Sequence, residues 1–205
     1  MESGVIDRAM KWAAAVLVVA LSLAGCSQQG PQLQVVGGQS VALNLAVSNV
    51  GANQPYSFGS IMLCVSSPAT ARITNVAVDQ VQGGIHVDAF AVRPNPFTRQ
   101  EEGLGGQRES LSDYSSTFVP NSAQLISGVC QPSSPAISGG DIANISELGV
   151  QVSWDGSGRY AGGHALDIVY EIAGTQKTLT INFGIWLCAA TCPPELNHAN
   201  SAASH

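Results

Sequence analysis

The chain has 205 residues, 11% of them charged, and a net charge of −6. Nucleic-acid binding needs clustered lysine and arginine, and the only lysines are Lys11 and Lys177. The same acidity argues against electrostatic docking on anionic lipid. One domain with a sizeable core fits within this length.

The first element is an apolar run. Arg8 and Lys11 supply a positive flank, and residues 13–26 read AAAVLVVALSLAGC. A bilayer core of ~30 Å needs ~20 helical residues. This run is shorter and fits a signal-peptide apolar region. It ends Leu23-Ala24-Gly25-Cys26. The segment resembles the signal peptide of bacterial lipoproteins, whose lipobox is a leucine, two small residues and a cysteine. The resemblance covers residues 1–26. It implies that a signal helix, residues 1–25, is removed and that Cys26 becomes the first mature residue. Cys26 would carry the lipid (diacylglyceryl, with palmitate among its acyl chains) and hold the protein on the extracytoplasmic face of a cell membrane. Two or more chains anchor stably, at ~0.8 kcal/mol per buried methylene.

Residues 26–34 are polar, with Gly30 and Pro31, and read as a lipidated tether. A domain over residues 35–192 comes next. Residues 41–47 alternate, with Val41, Leu43, Leu45 and Val47 on one face. Residues 49–56 are a loop, and 58–65 a strand ending Met62-Leu63-Cys64. Residues 72–81 alternate again, with Ile73, Asn75, Ala77 and Asp79 opposite Thr74, Val76 and Val78. In residues 85–92, Ile85, Val87, Ala89 and Ala91 share a face, with His86, Asp88, Phe90 and Val92 on the other. The stretch Asp88-Ala-Phe-Ala-Val-Arg-Pro94 resembles uncharacterised exported proteins of actinobacteria, a resemblance that implies no activity.

Residues 93–113 combine prolines, glycines and charges. A loop of this length is either disordered or functional. Arg93, Arg99, Glu101, Glu102 and Arg108 are the candidate binding-loop residues. Residues 147–154, 164–172 and 177–188 alternate strongly and read as a three-stranded meander. Residues 193–205 read as a disordered tail. Strands at this regular spacing imply an all-β, immunoglobulin-like or related antiparallel β-sandwich, with Trp154 lying between Cys130 and Cys188.

Four cysteines besides Cys26 remain: Cys64, Cys130, Cys188 and Cys192. On the oxidising side of a membrane they read as two disulfides. The short spacing of Cys188 and Cys192 favours a local loop, leaving Cys64 with Cys130. A long-range link from Cys64 to Cys188 is the alternative.

Chemistry is sparse. No G-x-S-x-G elbow or phosphate loop occurs. Cys188, Cys192 and His198 make a poor zinc pattern beside the disulfide reading. His205, like His198, lies in the tail. Asp155, Asp167 and Glu171 are conceivable calcium ligands, but Asp155 is explained by its Asp-Gly turn. His86 with Asp88 is the one polar pair on a strand face. The expectation is therefore a non-catalytic envelope lipoprotein, with no cofactor or metal and a protein or cell-envelope partner. One alternative is a module for an apolar molecule or a metal. A hydrolase is another, and it requires His86 or His164 within hydrogen-bond reach of a serine and a carboxylate.

Overall fold

The computed structural model describes residues 30–36, 43–79, 81–99, 102–120, 122–130 and 144–197. The chain divides into two units, residues 1–30 and 31–205, and every described strand belongs to the second. Cys26, the signal segment, Glu101, His198 and His205 lie outside the described residues.

The protein is an all-β sandwich. One sheet runs in the order β1 (Leu33–Val35), β3 (Tyr56–Val65), β7 (Ser146–Trp154), β5 (Ile85–Pro94), all antiparallel. A second runs β10 (Thr175–Ile181), β9 (Ala165–Ile172), β4 (Ala71–Asp79), β6 (Leu125–Ile126). A third runs β2 (Leu43–Val47), β11 (Phe183–Cys188), β8 (Tyr160–Gly163), with β2 and β11 parallel. All three contribute to one apolar core. Phe58, Leu148, Val150 and Trp154 come from the first sheet, Leu166 and Ile168 from the second, Ile185 and Leu187 from the third. The rings of Phe58 and Phe183 stack at 5.0 Å.

Period-two alternation explains β7, where Leu148, Val150, Val152 and Trp154 all point into the core. Two other alternations slip. β4 bulges between Ile73 and Asn75, and β5 between Val87 and Ala89. Each extra residue reverses the faces beyond it. Ile73 and Val76 therefore face the core together, as do Ile85, Val87, Phe90 and Val92. Ala91 and Arg93 go to the opposite face, so the expected set Ile85, Val87, Ala89 and Ala91 is corrected.

The meander is also corrected. β9 and β10 do form a hairpin through Ala173 and Gly174, whose φ values of 50° and 74° are both positive. β7, however, sits between β3 and β5 in another sheet. The expected strand 177–188 breaks at Asn182 into β10 and β11, which belong to different sheets. The tether reading ends early, since Leu33 is already buried and pairs with Val65. The tail reading does not hold for Pro194–Asn197, a short 3-10 turn that buries Leu196 against Trp186.

Disulfides join Cys64 to Cys130 and Cys188 to Cys192. The first fastens β3 to the segment 128–130, where Val65 already exchanges backbone bonds with Gly128 and Cys130. Cys130 and Cys188, which flank Trp154 in sequence, are not joined, so the immunoglobulin pin between sheets is absent. Loop closure scales with the chain enclosed. Replacing Cys64 and Cys130 together by alanine should cost about 4 kcal/mol in urea unfolding, against about 2 kcal/mol for Cys188 with Cys192. Equal losses would contradict the loop-closure account.

Candidate functional site

The outer face of the first sheet carries the polar residues of β7: Glu147, Gln151 and Ser153. Pairing places Arg93 opposite Glu147 and His86 opposite Ser153. These two pairs have different fates.

Arg93 and Glu147 are buried, with side chains 3% and 0% exposed. Arg93 Nε donates to Glu147 Oε2 at 2.7 Å. The other carboxylate oxygen accepts from the backbone N–H of Ser60 at 2.9 Å and of Leu104 at 2.7 Å. Arg93 Nη2 donates to the Glu102 carbonyl at 2.8 Å, and the guanidinium lies 4.5 Å from the centre of the Phe118 ring. Residues 102–118 thus form a strap across the sheet. Leu104, Leu111 and Phe118 pack on Ala91 as a second small core. Gly149 permits this approach, since a Cβ there would stand 2.7 Å from the Phe118 ring. A short helix, α1 (Leu111–Tyr114), is capped by Ser110, whose hydroxyl accepts from Asp113 N–H.

The described members of the expected binding loop take separate places. Arg93 is a buried organiser of the strap, not a contact residue. Glu102 is exposed and serves Arg93 with its carbonyl. Arg108 is exposed and donates to the Ser48 carbonyl at 2.6 Å. The backbone of Arg99 lies in the 3-10 turn Pro96–Arg99. The side chains of Arg93, Glu102 and Arg108 thus have different surroundings, Arg93 buried and the other two exposed. The strap covers the sheet because it supplies apolar side chains that composition alone hid among glycines and charges.

Beyond the strap, three side chains meet at the β5 bulge. Ser153 Oγ donates to Asp88 Oδ1 at 2.9 Å and lies 3.0 Å from His86 Nε2. The same Nε2 lies 3.1 Å from Asp88 Oδ1. His86 Nδ1 faces the Gly84 carbonyl at 3.3 Å, and Gln151 Nε2 reaches Asp88 Oδ2 at 3.4 Å. The distances meet the hydrolase requirement, but the connectivity does not. A nucleophilic serine gives its proton to one imidazole nitrogen while a carboxylate holds the other. Here one nitrogen faces both partners, and the hydroxyl proton goes to the carboxylate. Nearby Asp155 is held below the ordinary carboxylate range chiefly by hydrogen bonds from Ser157. His164 stacks edge-on against Trp186 at 5.0 Å.

Asp88 also lines a groove of about 340 Å³ between β4 and β5. Val76 and Phe90 belong to its core side, while Thr74, Asn75 and Ser122 stand with Asp88 at its polar side. Gln124 closes one end, its side chain accepting from Val92 N–H and donating to the Val119 and Ser122 carbonyls. Sequence reasoning singled out His86 and Asp88 as a polar pair, gave Thr74 and Asn75 only as strand positions, and did not name Gln151 or Ser153. Only the strand register brings them together. Among the described residues no group of three or more metal-ligating side chains gathers. Asp167 accepts from Thr180 and Glu171 pairs with Arg72, so the conceivable calcium set is dispersed.

No protein-family description matches the chain, and no curated protein does. Among solved structures it is similar to a Vibrio cholerae protease, VesB, at 11% identity and a TM-score of 0.31. That likeness covers 78% of this chain and 32% of the protease, and carries no argument about function.

The buried groups set two outcomes. Glu147→Ala leaves the Arg93 charge buried and without its carboxylate, and should cost about 3–5 kcal/mol in urea unfolding. The double change Arg93→Met with Glu147→Leu should recover only part of that loss, because the Ser60 and Leu104 N–H groups keep no carboxylate acceptor. Burial raises the Tyr56 phenol above its ordinary 10.0, opposed by the nearby Arg108 charge. The folded state then resists ionisation that the unfolded state accepts. The Tyr56 contribution to stability should be complete below pH 10.0 and be lost as pH rises through the folded value. Tyr56→Phe should flatten that decline in alkaline unfolding curves.

Proposed function

We propose that this protein is a non-catalytic binding domain, held on the extracytoplasmic face of a membrane by lipid on Cys26. The observation that carries the reading is Leu23-Ala24-Gly25-Cys26 at the end of an apolar run too short to span a bilayer. The two disulfides support it, since such bonds persist in oxidising compartments. The acidic composition supports a covalent rather than an electrostatic tether. The partner is a component of the cell envelope or a protein lying near it.

A hydrolase acting through Ser153 is the second reading, because Ser153, His86 and Asp88 stand within hydrogen-bond reach of one another. Their connectivity weighs against it. The hydroxyl is a donor to Asp88, and the residue is only 5% exposed.

Cells fed an alkyne analogue of palmitate should label the wild-type chain and not the Cys26→Ser variant. Persistent labelling of that variant would sink the tether. A fluorophosphonate probe should leave the protein unmodified. Labelling that disappears in Ser153→Ala would establish the hydrolase instead.

A further inference from the structure

We infer that the groove between β4 and β5 binds a neutral, hydroxyl-rich ligand, a short glycan segment; this rests on reading the protein as an extracytoplasmic binding domain. The argument begins with two sheet edges. β5 is the last strand of its sheet. β4 is paired by β6 only at Ala71 and Arg72, and the next four residues, Ile73 to Val76, border the groove. An open edge invites an added strand unless something disrupts its ladder. Here both edges are disrupted where they face each other. β4 bulges at Thr74 and β5 at Asp88. Bulges terminate pairing and re-aim side chains, so these edges suit a compact ligand rather than a partner strand.

The lining then selects the chemistry. Residues 73–76 and 87–90 form the two walls. The volume of about 340 Å³ lies at the lower end of ligand pockets, ~300–1,000 Å³. No lysine or arginine lines the groove, so an anionic ligand finds no countercharge. A wholly apolar ligand would strip water from Asp88 and Asn75 and return no hydrogen bond. A sugar ring matches both halves. Its C–H face can lie on Phe90 and Val76, while its hydroxyls donate to the Asp88 carboxylate and exchange bonds with the Asn75 amide. Ser153 and His86 on Oδ1 and Gln151 on Oδ2 orient the carboxylate, and its remaining lone pairs are left for the ligand.

The full lipidated chain, reconstituted in phosphatidylglycerol–phosphatidylethanolamine nanodiscs, is titrated with soluble oligomers of glucose, mannose and N-acetylglucosamine. Saturation-transfer NMR and calorimetry read binding. At least one oligomer should bind, and Asn75→Ala and Asp88→Asn should each weaken it by about tenfold or more. Asn75 is exposed, and Asp88→Asn preserves volume, so circular dichroism should report both variants folded. Binding by none of the oligomers overturns the inference. So does unchanged affinity in both variants, or binding of spermidine or decanoate in the groove where the sugars fail. A protein that takes palmitate on Cys26 yet binds no sugar overturns this inference alone. One that binds sugar without taking lipid overturns the tether alone.

Discussion

The ion pair of Arg93 and Glu147 organises one whole face of the molecule. Two charges taken out of water are costly, and their attraction offsets that cost only when every remaining lone pair and N–H is satisfied. Here each half reaches beyond the pair. The carboxylate receives the backbone N–H of Ser60 in β3 and of Leu104 in the strap, while the guanidinium reaches the Glu102 carbonyl. One interaction therefore fixes β5, β7, the strap and the bulge of β3 between Phe58 and Ile61 at once. An apolar pair of similar volume would fill the space but would specify none of these backbone positions.

The same strand pairing governs the opposite end of that face. Where the strap stops, the outward positions of β5 and β7 are wet. His86, Asp88 and Gln151 then make a hydrogen-bonded set at the surface, with the buried Ser153 beneath them. The β5 bulge marks the division. Before it His86 points outward, and after it Ala91 and Arg93 do. A single inserted residue thus divides the strand between an exposed polar cluster and a covered apolar patch.

Fold class was legible because β7 and β9 keep an uninterrupted period of two, and because β-branched and aromatic residues recur between turn signals. What was not legible has physical causes. The bulges at Thr74 and Asp88 leave no residue-level mark, so alternation was extended through them and reversed half of two strands. Asn182 reads as one polar position in a long strand, yet it is where the chain changes sheets. Arg93 read as a loop charge because its partner is 54 residues away in sequence. The polar set around Asp88 was half visible. His86 and Asp88 are neighbours along the chain, whereas Ser153 and Gln151 join them only through register.

The order of strands in the first sheet sets the order of assembly. β7 lies between β3 and β5, and Leu63 pairs with Ser146. Closing so long a loop costs entropy before contacts return it, and such topologies fold slowly. Until β7 arrives, β3 has β1 on one side only, and β5 has no neighbour in its sheet. A chain emerging from its N-terminus therefore passes through a period with two long apolar strands open to other chains. The Cys64–Cys130 bond can form before β7 is available and would hold β3 to residues of its own chain during that interval.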